Sequence, residues 1–182
     1  MVSVPKRRGV TALATALLTT GALFGPTVAE AASAPSLALD SLAILSTDVV
    51  INRNVTFSGG IPVGGWYSLS VFGSGSYTYS GHMHNSGVQG YNFAGVCVVR
   101  FANGTAFVFV TSGRVHGTFE SGSRDHNWNR SATRQSIRDA YQASGGGWNA
   151  RCRNQIDGDR NALINSTIQG AGYAKKVIVI FA

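Results

Sequence analysis

Three of the four histidines in this 182-residue chain fall on stretches where polar and apolar residues alternate. Ser76 to His84 reads as a strand, and side chains two apart on a strand share a face. Thr78, Ser80, His82 and His84 then point one way, and Tyr77, Tyr79 and Met83 the other. Arg114 to Glu120 reads alike, with Arg114, His116, Thr118 and Glu120 opposite Val115 and Phe119. If the two strands meet in a curled sheet, His82, His84 and His116 converge. A His-x-His pair and a third imidazole give three corners of a tetrahedron for Zn²⁺. The open fourth corner holds the water that a catalytic zinc activates. Glu120 or a nearby Thr would then orient the ligands. Solvent-facing histidines on a half-exposed sheet are the alternative. A metal-free version uses Arg114, His116 and Glu120 as a catalytic row. The guanidinium holds an anion while His and Glu exchange protons, which is the residue set of a secreted RNA-cleaving enzyme. A surface ion pair across strands explains the same residues.

A second group is cationic. Arg130, Arg134 and Arg138 recur every four residues on a helix expected from about 129 to 144, and so share one face. Like charges at that spacing repel. A polyanion would relieve the repulsion and accept bidentate contacts. Arg124, Arg151 and Arg153 are candidates to lie nearby, and a solvated outer face is the alternative. Ser121 to Trp128 is a polar loop with a single aromatic, placed to line a pocket at a sheet end. Asp125 can orient His126 there, but spacing identifies no serine or cysteine nucleophile. The glycine-rich stretches lack Gly-Lys-Ser/Thr and do not form a phosphate loop.

The elements that must position these groups are mostly strands. Asp48 to Phe57 alternates, with Val49, Ile51, Val55 and Phe57 on one side. Trp66 to Phe72 is a strand, Gly73-Ser74-Gly75 a hairpin turn, and Ser76 to His84 its partner. Tyr91 to Phe101 is a third long strand, closed by Asn103-Gly104, a tight-hairpin signal. Thr105 to Thr111 and Arg114 to Glu120 follow, joined at Ser112-Gly113. Short connections imply antiparallel neighbours and a meander. The expected helix 129–144 is capped at Asn129 or Ser131, carries Ile137, Ala140 and Tyr141 on its apolar face, and ends at Gly145-Gly146-Gly147. Trp148 to Asn154 alternates again. A second helix runs from Gly158 to about Gln169, capped near Asp157 or Asp159. Lys176 to Phe181 is continuously apolar from Val177, which predicts a buried or central strand.

Residues 1–31 have the make-up of an export signal. Lys6, Arg7 and Arg8 precede an apolar run from Val10 to Phe24, and Ala29-Glu30-Ala31 offers a small-x-small cleavage site. The run is too short and Thr-rich for a membrane span, and no second one follows. Residues 32–46 read as a short linker, and 47–182 as one domain. Cys97 and Cys152, the only cysteines, are expected to pair in an oxidising compartment. The loop they close would contribute roughly 4 kcal/mol. After the signal the chain carries 12 Lys+Arg and 7 Asp+Glu. Residues 32–120 are balanced, so the excess lies in the C-terminal third. That suggests an anionic partner or simply solubility.

Two stretches carry a resemblance: Ser80-Gly81-His82-Met83-His84-Asn85-Ser86-Gly87, and Ser112 to Asp125 with its Gly-Thr-Phe-Glu-Ser-Gly-Ser-Arg-Asp core. They resemble a family of small secreted actinobacterial proteins of unknown function, over roughly residues 60 to 128. The resemblance implies a Gly-His-x-His-x-Ser-Gly turn, often with Asp where Asn85 stands, and no activity. Gly64-Gly65-Trp66 resembles the Gly-x-Trp of lipocalin-like barrels, which implies at most a ligand-holding barrel.

The sequence therefore predicts a mainly β chain. Its antiparallel meander would close into a barrel, with a two-sheet sandwich as the alternative and one or two helices near the C-terminus. The functional expectation is a secreted, extracellular, non-enzymatic protein. It would bind a ligand, a polyanion or another cell-surface polymer without a cofactor. A hydrolase on the polar strand face, with or without zinc, is the runner-up, and a small toxin or inhibitor is the third reading.

Overall fold

The computed structural model describes residues 48–182. The expected signal segment 1–31 and the linker 32–46 lie outside the described residues. Eight strands and two helices follow in the order β1 (Val49–Thr56), β2 (Val63–Val71), β3 (Ser76–Asn85), β4 (Tyr91–Phe101), β5 (Thr105–Val115), β6 (Asp125–Thr133), α1 (Gln135–Ala143), β7 (Trp148–Ile156), α2 (Arg160–Ala171) and β8 (Lys176–Phe181).

The strands form two four-stranded sheets, ordered β1-β2-β3-β6 and β7-β4-β5-β8. Every pairing is antiparallel except the parallel β5–β8 pair. Neither sheet closes on itself, so the barrel expectation is not met. Two separate sheets sharing one core correspond to the two-sheet alternative. The shared core is aromatic. Tyr77 and Tyr79 of the first sheet lie 5.2 and 6.1 Å, centroid to centroid, from Phe109 of the second. Leu69, Met83, Phe101 and Phe107 fill the space around them. Complete burial of each such side chain is worth about 1.5–3 kcal/mol.

Cys97 and Cys152 are bonded, as the cysteine count predicts, and stand directly opposite each other on β4 and β7. A second apolar cluster lies on the outer face of that sheet. Leu163 and Ala171 of α2 cover Ala94, Val96, Val98, Ala106, Val108 and Val110. The Asp159 carboxylate caps α2 by accepting from the Asn161 and Ala162 amides, a device worth about 1 kcal/mol. Helix α1 turns Ile137, Ala140 and Tyr141 into the shared core. The Tyr141 hydroxyl accepts from the Val49 amide and donates to the Val71 carbonyl, tying the ends of β1 and β2 together.

Five sequence expectations are corrected. Ser112-Gly113 is no turn, because β5 runs unbroken through it to Val115. Gly113 instead leaves room for the His126 ring, which lies where a Cβ would project. The meander ends at β3, since its outer edge pairs with β6 rather than with a neighbour in sequence. That pairing converts Ser121–Trp128, expected to be loop, into strand from Asp125, and carries strand through Thr133. The helix expected from 129 is therefore only α1, with Arg134 as an N-cap that makes no side-chain cap bond. Backbone pairing along β3 outweighs the weak local helical pattern of 129–134. Finally, β8 is an edge strand. Ile178 and Ile180 enter the shared core, but Val177, Val179 and Phe181 stay exposed. Only β5 flanks it, so continuous apolarity did not mean burial on both sides. By contrast, Asn103-Gly104 makes the expected β4–β5 hairpin, with Gly104 at φ 87°.

Candidate functional site

The outer face of the β1-β2-β3-β6 sheet is polar over four cross-strand rows. The registers align Asn54, Trp66, His82 and Asn127 in one row. Asn52, Ser68, Ser80 and Asn129 form the next, and Val50, Ser70, Thr78 and Ser131 the third. Thr56, Gly64, His84 and Asp125 complete the face on the other side of the first row. Burial along β3 alternates strictly, so its tyrosines and Met83 enter the core while Thr78, Ser80, His82 and His84 stay accessible. No described helix covers this face. Trp66 is 45% exposed at its middle. Beside it a cleft of about 370 Å³ is lined by Asn52, Arg53, Asn54, Trp66, Tyr67 and Ser68. Such a surface combines an apolar ring with amides and hydroxyls that donate and accept.

At one end of the face two histidines meet a carboxylate. His84 Nδ1 lies 2.7 Å from Asp125 Oδ1, and His82 Nε2 lies 3.5 Å from the same oxygen. His82 Nδ1 is 2.8 Å from Asn127 Oδ1. The two imidazoles are nearly parallel, at 15°, with centroids 6.5 Å apart. The hydrogen bond from His84, and then the charge of His84, His82 and Arg124, hold the Asp125 carboxyl below its usual range against partial desolvation. Asp125 therefore presents a carboxylate to both rings.

His116 is not in this cluster. With β5 ending at Val115, residues 116–120 fold as a turn rather than a strand. His116, Arg114 and Glu120 still come together, but around the turn. Glu120 Oε2 accepts from Arg114 at 2.9 Å and lies 3.4 Å from His116 Nδ1, while Oε1 accepts from the Gly90 amide at 2.8 Å. The Gly90 amide first, then Arg114, hold the Glu120 carboxyl below its usual range.

Around this turn the chain is clasped to the 85–90 loop. Asn85 is fully buried; its side-chain amide donates to the Gln89 and His116 carbonyls and accepts from the Gly87 amide. Arg124 Nε donates to the Asn85 carbonyl, and the Thr118 amide and hydroxyl both donate to the Gly87 carbonyl. The Ser80–Gly87 stretch and the Gly117–Asp125 stretch are thus neighbours in space. A carboxylate at position 85 could not make the two donations that the Asn85 amide makes.

The arginine stripe is dispersed. Arg130 lies on β6, Arg134 is the extended N-cap residue, and Arg138 is on α1 with its Nε donating to the Ser74 carbonyl. In the 121–128 segment, Asp125 faces His84 and not His126, whose ring packs edge-on against Phe93 at 5.0 Å. Burial lowers the His126 pKa.

Sequence reasoning missed Trp66, Asn54 and Asn127 as site residues, and Asp125 as the partner of the histidine pair. The period-two alternation Asn52-x-Asn54 and Trp66-x-Ser68-x-Ser70 was available as a signal for the first two. Nothing local announced that β6 would bring Asp125 and Asn127 opposite His84 and His82. Comparison with family models, with curated proteins and with solved structures finds no match for this chain.

Proposed function

We propose that the mature chain is a secreted, non-catalytic binding protein whose recognition surface is the outer face of the β1-β2-β3-β6 sheet. Its ligand class is a neutral, hydroxyl-rich polymer of the kind found on cell surfaces. The observation that carries the reading is the row Asn54, Trp66, His82, Asn127, with an exposed indole among side chains that hydrogen-bond in both directions. A sugar ring offers apolar C–H faces to the indole and hydroxyl pairs to the flanking amides. Export is supported by the basic-then-apolar start of the sequence and by the Cys97–Cys152 bond, which suits an oxidising compartment.

The polyanion reading loses its main support with the arginine stripe, because Arg130, Arg134 and Arg138 no longer share one helical face. The hydrolase reading on Arg114, His116 and Glu120 stands second. Glu120 is held as a carboxylate by the Gly90 amide and Arg114, contacts that close a chain turn rather than await a substrate. No observation favours the toxin or inhibitor reading.

Affinity electrophoresis through gels containing a panel of soluble neutral and acidic polysaccharides tests the proposal. Retardation by at least one neutral polymer is expected, with at least about tenfold weaker binding for Trp66→Ala, the order of effect of losing one interface anchor. Unchanged retardation of Trp66→Ala overturns it. So does retardation only by acidic polymers that vanishes when Arg130, Arg134 and Arg138 become Gln.

A further inference from the structure

We infer that His82, His84 and Asp125 form a binding site for one divalent transition-metal ion of the zinc and copper class, at the edge of the polar face. Among the described residues, this set of His, Asp, Glu and Cys side chains has ligand atoms within 4.8 Å of one another. The histidines alternate on β3 and so share a face. The β3–β6 register places Asp125 opposite His84 and Asn127 opposite His82. The site is built on two paired strands, not on loops.

The hydrogen bonds define which atoms are free to ligate. Asn127 Oδ1 is an acceptor, so the proton of a neutral His82 ring sits on Nδ1, 2.8 Å away. The lone pair is then on Nε2, which faces Asp125 Oδ1 at 3.5 Å. A lone pair and a carboxylate oxygen at that separation repel, and a cation between them turns the repulsion into two bonds. With metal–nitrogen and metal–oxygen bonds of about 2.0–2.2 Å, tetrahedral ligands stand roughly 3.3–3.5 Å apart. His82 Nε2 and Asp125 Oδ1 already have that spacing. His84 Nδ1 and Asp125 Oδ1, at 2.7 Å, share a proton that the ion would displace, and the gap would widen by roughly 0.6–0.8 Å. Two imidazoles and one carboxylate suit borderline cations and suit calcium or magnesium poorly. The accessible side chains leave the remaining coordination positions to water or to an exogenous donor. Asn127 acts as a positioning residue, since it orients the His82 ring from outside the ligand set.

This site keeps His82 and His84 of the grouping expected from sequence but takes Asp125 in place of His116, which is engaged with Glu120. It also does not depend on the polymer-binding reading, since the test uses metal alone. Tag-free protein of residues 32–182, stripped with chelator and dialysed, is titrated with ZnCl₂ by calorimetry. One equivalent should bind. His84→Ala and Asp125→Ala should each weaken binding at least about a hundredfold, and Asn127→Ala about 10- to 100-fold. His116→Ala should bind as the parent does. Binding that is absent, that survives both ligand variants, or that is lost equally in His116→Ala overturns the inference. If a ligand variant fails to fold, imidazole NMR signals of the parent decide. Zinc must shift those of His82 and His84 while those of His116 stay in place; equal shifts at all three overturn the site.

Discussion

The outer faces of the two sheets have opposite chemistry. On β4 and β5 the outward residues Ala94, Val96, Val98, Ala106, Val108 and Val110 are apolar, and α2 lies across them. On β2 and β3 the outward residues include Ser68, Ser70, Thr78, Ser80, His82 and His84, with Trp66 among them, and no described helix covers them. The contrast is written into each strand. β4 is buried without interruption from Phe93 to Val99, whereas β3 alternates at every residue. A strand that is apolar on both faces requires a cover, and the chain supplies α2. A strand that alternates requires none, so its outer face is free to recognise something else. β8 marks the limit of the rule, for Val177, Val179 and Phe181 stay exposed, with the Arg160 guanidinium 5.7 Å from the Phe181 ring centre.

The largest effect expected concerns the bond on the inner side of the covered sheet. Replacing Cys97 and Cys152 together by Ala should lower stability by roughly 4 kcal/mol in urea denaturation, from the length of the loop it closes. No free thiol should titrate in the parent. A double variant as stable as the parent would mean that packing alone holds the covered sheet.

Next comes the corner where the uncovered sheet hands the chain to the covered one. Asn85→Asp should cost about 3 kcal/mol, because the Gln89 and His116 carbonyls lose their donors and a carboxyl takes the place of the fully buried Asn85 amide. A negligible shift in the denaturation midpoint would show that the amide donations do not hold this corner.

A paired substitution probes the two faces directly. Leu163→Ala, on the buried face of α2, should cost about 2–4 kcal/mol, while Ser68→Ala on the polar face should stay within about 0.5 kcal/mol. Equal costs would abolish the distinction between a packed face and a presented one.

The smallest effect is a pH dependence. Glu120 has a folded-state pKa below its ordinary 4.5, owing first to the Gly90 amide and then to Arg114. Its stabilising contribution is complete above pH 4.5 and is lost as pH falls from there through the lowered folded value. Glu120→Gln should flatten the acid limb of the stability profile measured below pH 4.5. An unaltered limb would assign the acid loss to other carboxylates.

Several elements were legible in the residues for physical reasons that act locally. β4 has the bounds read from its residues and flanking turn, and Asn103-Gly104 turns the β4–β5 hairpin. Asp159 caps α2 because its carboxylate reaches amides two and three residues on. The histidine face of β3 follows from the two-residue period alone. The misreadings have a different origin. Ser112-Gly113 carries a turn signature, but Gly113 serves the approach of His126 from another strand. Arg130, Arg134 and Arg138 have helical spacing, but β3 takes the first of them into a sheet.

Local patterns in the residues were enough to say which side chains share a face on each strand, which two cysteines were available to pair, and where a tight turn and a helix cap would fall. Those properties depend on backbone geometry over a few residues. Long-range packing set the rest: β6 borders β3, His84 faces Asp125 instead of His116, and Glu120 is tied to Gly90. Neighbour choice between strands far apart in the chain depends on how both sheets together bury one aromatic core and pair the backbone groups buried with it, and no local pattern encodes that balance.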